Sequence, residues 1–227
     1  MNNYFRSITF GLLFSALLFL GAIENESCPI SFLALGDSYT IGESVDPDQR
    51  WPVLLADSLR SRGFDVEKPD IIAKTGWTTS DLQEAINNEN PHSNYDLVSL
   101  LIGVNNQYQG LDFKQFEKEF KNLLNQAISF AGGNPQNVFV VSIPNYGVTP
   151  FGQEKNPQKI TRELRRYNKT ARQITQKNDV TFVNITPISE NAQHNPALIA
   201  EDGLHPSGKM YQQWVSKTLP SILPKLK

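Results

Sequence analysis

The chain has 227 residues, 39% of them hydrophobic, and its 21 Lys and Arg against 23 Asp and Glu give a net charge of −2. That length suits one domain with a sizeable core, and without a large basic block nucleic-acid binding has little support. Its single cysteine, Cys28, excludes an internal disulfide framework.

The chain opens on a positive flank, Arg6, followed by an uncharged apolar run over residues 8–23. This pattern reads first as an export signal, which predicts a periplasmic or extracellular protein. A retained membrane anchor is the second reading, because the run lies near the lower limit of the ~17–25 residues a spanning helix needs. Lipidation at Cys28 is the third, since the polar residues before it do not form a small apolar lipidation pattern. Residues 1–28 are therefore expected to be a signal peptide or anchor with a short linker, and residues 29–227 a single domain.

The first element after that segment is the apolar run 32–35. It breaks at Gly36 into Asp37-Ser38-Tyr39. Such a run, bounded by glycine, predicts a strand buried on both faces. A helix follows over 51–64, with Pro52 suited to its first turn and Gly63 to its end. Residues 70–73 form a short second strand, which leads into Lys74-Thr75-Gly76-Trp77-Thr78-Thr79. Thr79 or Ser80 is expected to cap a helix over 81–88. The third strand, 96–102, again breaks at a glycine, Gly103. Apolar residues at 113, 116, 120, 123, 124, 127 and 128 predict a helix with one buried face over 113–130. A fourth strand spans 137–143, a charged amphipathic helix 159–176, and a fifth strand 180–185. The last helix spans 207–219, with Ser207 as cap and Pro220 as stop.

Five strands alternating with helices predict a mostly parallel sheet covered on both faces. Parallel topology brings the turns at Gly36, Gly76 and Gly103 to one sheet edge, where ligands bind in open α/β folds. The loop Asp202-Gly203-Leu204-His205-Pro206 joins them there. These residues match the needs of acyl transfer. Ser38 is the candidate nucleophile, and a serine hydroxyl needs an adjacent base. His205 is that base, and Asp202, three residues earlier, orients the imidazole. Asn105 and the backbone N–H groups of Gly76 and Ser38 are candidate oxyanion donors. His92 and His194 compete as bases. His92 lies in a loop entering the third strand, at the opposite sheet edge. His194 lies on the right edge but lacks a carboxylate three residues before it.

Gly36-Asp37-Ser38, Gly76, Gly103 with Asn105, and Asp202 to Pro206 occur in an order that resembles the SGNH (GDSL-type) hydrolases. The resemblance spans most of the chain from residue 30 onward. It implies a flavodoxin-like three-layer α/β/α sandwich with a five-stranded parallel sheet in the order 2-1-3-4-5. It also implies hydrolysis of esters or thioesters without metal or cofactor. Two departures stand out. Asn106 replaces the Asp usual after the third-motif Asn, and no Asn precedes Gly76.

The expected function is cleavage of carboxylic esters, short acyl or O-acetyl esters first, through an acyl-enzyme on Ser38. Lysophospholipase or thioesterase activity, or a non-catalytic binding module, are the alternatives. Asp37, Tyr39, Trp77, Asn106 and Tyr108 are candidates for substrate contact. The expected partner is a small-molecule, carbohydrate or lipid ester, and a monomer is expected.

Overall fold

The structure is a computed structural model that describes residue 1 and residues 28–226. The expectations for residues 8–23 lie outside the described residues. Among those described, no helix is long and apolar enough to cross a membrane. Cys28 is exposed.

Strand β1 (Phe32–Gly36) leads into the short helix α1 (Ser38–Ile41), then α2 (Trp51–Arg60), β2 (Asp70–Ala73) and α3 (Thr79–Glu89). The middle of the chain forms β3 (Leu97–Leu101), α4 (Val104–Tyr108), α5 (Phe113–Phe130) and β4 (Val138–Val141). The remainder forms α6 (Pro150–Gln153), α7 (Pro157–Lys177), β5 (Thr181–Val183), α8 (Thr186–Glu190) and α9 (Gly208–Ile222).

All five strands are parallel, in the order β2-β1-β3-β4-β5. Ala34 of β1 lies between Ile71 and Ser99 in register. Helix α2 packs against α9, while α5 packs against both α3 and α7. Right-handed crossovers demand this grouping, because the chain first steps from β1 to β2 and then reverses across β1 to β3. The result is an α/β sandwich whose topological switch point falls between β1 and β3. Every residue of β1, β3 and β4 is buried, while the edge strands β2 and β5 are only partly so. The continuous apolar runs read in the sequence are therefore the two-sided burial of central strands. Phe32, Trp51 and Phe139 meet at ring-centroid distances of 6.1–6.2 Å and join sheet to helix layer.

Two local expectations are corrected. Thr78, not Thr79 or Ser80, caps α3: its side chain accepts from the Asp81 N–H while Asp81 accepts from the Thr78 N–H. This reciprocal pair satisfies two helix-end donors at once, which a cap one residue later would forgo. Pro220 does not stop the last helix, which continues to Ile222. In the last turn a proline forfeits one hydrogen bond, and Leu219 and Ile222 stay buried on the same face. The short helices α1, α4, α6 and α8, each of five residues or fewer, carry no periodic signal and were not expected.

Candidate active site

The turn after β1 is shaped by close packing. A Cβ on Gly36 would lie 2.6 Å from the backbone oxygen of Leu101 and would also strike Thr40. Only glycine lets α1 turn back against the end of β3. Asp37 then caps α1, its Oδ1 accepting from the Tyr39 N–H at 3.1 Å. Ser38 becomes the first residue of that helix. Burial drives the Asp37 carboxyl up to about 8, even though backbone N–H groups of Tyr39 and Asp37 pull the other way.

The third motif is held by a similar device. Gly103 has φ of +120°, and a Cβ there would lie 2.5 Å from Cε2 of Phe116. The chain turns at Gly103 into α4, whose second residue is Asn105. The Asn105 Nδ2 donates to the carbonyl of Trp77 at 2.9 Å. Its neighbour Asn106 is buried and faces inward. There its Oδ1 accepts from the Thr79 N–H at 3.0 Å, and its Nδ2 donates to the Thr79 hydroxyl at 2.7 Å. Asn106 thus ties α4 to the start of α3 by two hydrogen bonds.

The loop before α9 carries the third part. Asp202 Oδ2 lies 2.5 Å from Nδ1 of His205. Its Oδ1 accepts from the N–H groups of Leu204 and His205, each at 2.9 Å. Ser44 Oγ donates to Oδ2 at 2.7 Å. Partial burial pushes the Asp202 carboxyl up, but these four donors outweigh it and hold the group down at about 2. The carboxylate is therefore ionised at neutral pH and accepts a hydrogen bond from Nδ1–H, the tautomer that leaves Nε2 of His205 with its lone pair. The loop itself is pinned by Ala200 N–H to His205 O at 2.8 Å and by Phe151 N–H to Gly203 O at 3.1 Å. Tyr39 packs its ring against the imidazole at a centroid distance of 5.6 Å.

These parts converge on one cavity of about 170 Å³. Ser38, His205, Gly76, Asn105, Tyr39 and Tyr108 all line it. Asp37, Asn106 and Trp77 do not: Asp37 is buried behind Ser38, Asn106 faces α3, and Trp77 offers its carbonyl to Asn105. His92 and His194 are also absent from the wall, and His92 stacks on Tyr95 at 3.8 Å. Thr75, Val104, Tyr146, Phe151 and Leu204 complete the wall, none of them named as a substrate contact in the sequence. Ser44 was missed too. It sits in a polar loop at φ of +64°, a conformation that residue type alone does not signal. Among the described residues no group of three or more His, Cys, Asp or Glu side chains is placed to hold a metal ion.

Comparison with known proteins places the fold and the family. Residues 34–213 match the model of the GDSL-like lipase/acylhydrolase family. An arylesterase of Vibrio mimicus is 26% identical over 221 residues, covering 94% of this chain and 98% of that protein. Among solved structures, the lipase/acylhydrolase from Enterococcus faecalis superposes with a TM-score of 0.63 at 19% identity, covering 87% of this chain and 97% of that one. The psychrotrophic esterase EstA from Pseudoalteromonas sp., solved in a form inhibited by monoethylphosphonate, gives a TM-score of 0.60 at 17% identity, covering 86% of this chain and 97% of that one. At these identities the structural matches show the shared fold.

Proposed function

Since the chain belongs to the GDSL-like lipase/acylhydrolase family and is an ester-acting hydrolase, we propose that it cleaves carboxylic esters through an acyl-enzyme on Ser38. One observation carries this reading. The ionised Asp202 holds His205 by Nδ1 at 2.5 Å, and His205 shares a cavity with Ser38.

In the first half-reaction the Ser38 oxygen attacks the ester carbonyl carbon, and its proton passes to Nε2 of His205. The carbonyl oxygen becomes an oxyanion that Asn105 and the N–H groups of Gly76 and Ser38 stabilise. The alcohol leaves with the proton from His205. Water then attacks the acyl-enzyme by the same route and releases the acid. Asp202 stays ionised throughout and offsets the imidazolium charge as it forms.

The wall is mainly apolar, from Val104, Tyr108, Tyr146, Phe151 and Leu204. At about 170 Å³ the space is below the ~300–1,000 Å³ of drug-sized ligand sites. That favours short acyl or O-acetyl esters over long acyl chains. Export to the periplasm or extracellular space, with residues 8–23 as signal or anchor, is proposed on the positively flanked apolar run alone.

The test is hydrolysis of p-nitrophenyl acetate, butyrate and longer esters by wild type and Ser38→Ala, with fluorophosphonate labelling mapped by mass spectrometry. The expected result is activity falling with chain length, label on Ser38, and neither activity nor label in Ser38→Ala. Full activity in Ser38→Ala, or label on another residue, would overturn the assignment.

A further inference from the structure

A second and larger cavity, of about 490 Å³, lies beside the first. Tyr108 and Tyr146 line both, so these two rings form the partition between them. Tyr108 is 53% exposed, which leaves one side of that partition open to solvent. The other side is fixed: Tyr146 donates through its hydroxyl to Gln107 Oε1 at 2.9 Å, and Gln107 Nε2 donates to Glu163 Oε2 at 2.8 Å.

The two cavities differ in charge. The first has no Lys or Arg on its wall. The second is lined by Lys155, Lys159 and Arg166 against the single carboxylate of Glu163, in a chain whose net charge is −2. Glu163 is already engaged by Gln107 and lies 3.9 Å from Lys159. Among the described residues no carboxylate lies within 4.0 Å of Lys155 or Arg166. Both cations instead rest over aromatic faces. The Arg166 guanidinium sits 3.6 Å above Phe113, and Lys155 Nζ 5.0 Å from the Phe151 ring centroid. Phe151 belongs to the wall of the first cavity, so Lys155 stands at the junction of the two. Helix α7 extends the same field outward, since all its charged side chains except Glu163 are cationic. A cavity with three cations against one carboxylate concentrates ions of negative sign.

We propose that this second cavity is a specificity subsite for an anionic group, carboxylate or phosphate, carried by the ester substrate away from its scissile bond. The proposal rests on the Ser38 reading. The scissile ester occupies the small cavity, the remainder of the substrate passes Tyr108, and its anion settles among Lys155, Lys159 and Arg166.

Matched ester pairs test this. One pair places the charge on the acyl side, mono-(4-nitrophenyl) adipate against 4-nitrophenyl hexanoate. The other places a phosphate on the alcohol side, 4-acetoxyphenyl phosphate against phenyl acetate. At low salt the anionic member of at least one pair is expected to have a kcat/KM roughly ten-fold higher than its neutral twin. The advantage should shrink as salt rises. Which pair responds tells which side of the ester points into the subsite. The advantage should fall toward one in a Lys155→Gln/Lys159→Gln/Arg166→Gln variant. It should turn into discrimination against the anion in Lys155→Glu, a single exposed change that keeps the test open should the triple variant fold poorly. Equal or lower kcat/KM for both anionic esters in wild type, or an advantage unchanged in these variants, would overturn the subsite. Neutral-ester turnover that survives Ser38→Ala would instead overturn the nucleophile, so the two failures are distinguishable.

Discussion

The side-chain amide of Asn105 donates to the backbone carbonyl of Trp77 at 2.9 Å, across 28 residues of sequence. This bond joins the start of α4, beyond β3, to the loop beyond β2, across the intervening β1. It consumes one Nδ2 hydrogen and leaves the other for the cavity that Asn105 shares with Gly76. Two proposed oxyanion donors from different strands are therefore set relative to one another before substrate arrives.

Asn105→Ala should lower kcat by about 10²–10³-fold, the usual effect of removing one oxyanion donor. KM should change far less, because the charge develops only in the transition state. Steady-state kinetics on p-nitrophenyl butyrate, beside a thermal melt to gauge the lost Trp77 bond, would check this. A rise in KM with kcat intact would place Asn105 in ground-state binding instead.

Asp202→Asn should lower kcat by up to about 10⁴-fold with the fold retained. An amide in place of the carboxylate neither enforces the Nδ1–H tautomer nor offsets the imidazolium. Ser44→Ala removes only one of the four donors to that carboxylate. It should cost far less, about 5–30-fold for the loss of roughly one to two kcal/mol of a charge-assisted hydrogen bond. Parallel kcat measurements on the two variants decide whether Ser44 supports Asp202.

Gly103→Ala should destabilise the protein by roughly 2–4 kcal/mol, combining left-handed backbone strain with overpacking. The added methyl meets Phe116 at 2.5 Å, and Phe116 is itself fully buried, so it has little room to yield. Urea unfolding followed by circular dichroism would measure the loss, and a midpoint equal to wild type would refute it.

Asp37 and Asp202 should respond to pH in opposite directions. The folded value of Asp202, about 2, lies below its ordinary 3.8, so its contribution to stability is present above pH 4 and is lost as pH falls through 2. The folded value of Asp37 is raised from 3.8 to about 8, so folding is favoured most at low pH and that advantage is lost as pH rises through 8. Asp37→Asn removes the second dependence. The melting temperature of wild type should therefore drop relative to Asp37→Asn between pH 4 and 8, and a constant difference across that range would show that Asp37 ionises normally.

Much of this protein was legible in the sequence for a local reason. Strand and helix periodicity, the cap at Ser207 and the glycine breaks after β1 and β3 all depend on residues near one another in the chain. The three-residue spacing of Asp202 and His205 is local as well, and a single turn brings those side chains into contact. Alternation of strands and helices is enough to direct the glycine turns to one sheet edge, so the candidate nucleophile and base are legible in the chain itself.

What remained hidden depends on contacts that chain proximity does not determine. Ser44 reaches Asp202 across 158 residues, and Asn106 reaches Thr79 across 27. Tyr146, Phe151 and Lys155 come to the site through a loop and the short helix α6, which carries no periodic pattern. Whether such residues meet is decided by how the ends of five strands are packed. Sequence alone could therefore name a serine, a histidine and an aspartate with the chemistry they suit, but only the packed fold shows the walls around them and the cationic cavity next door.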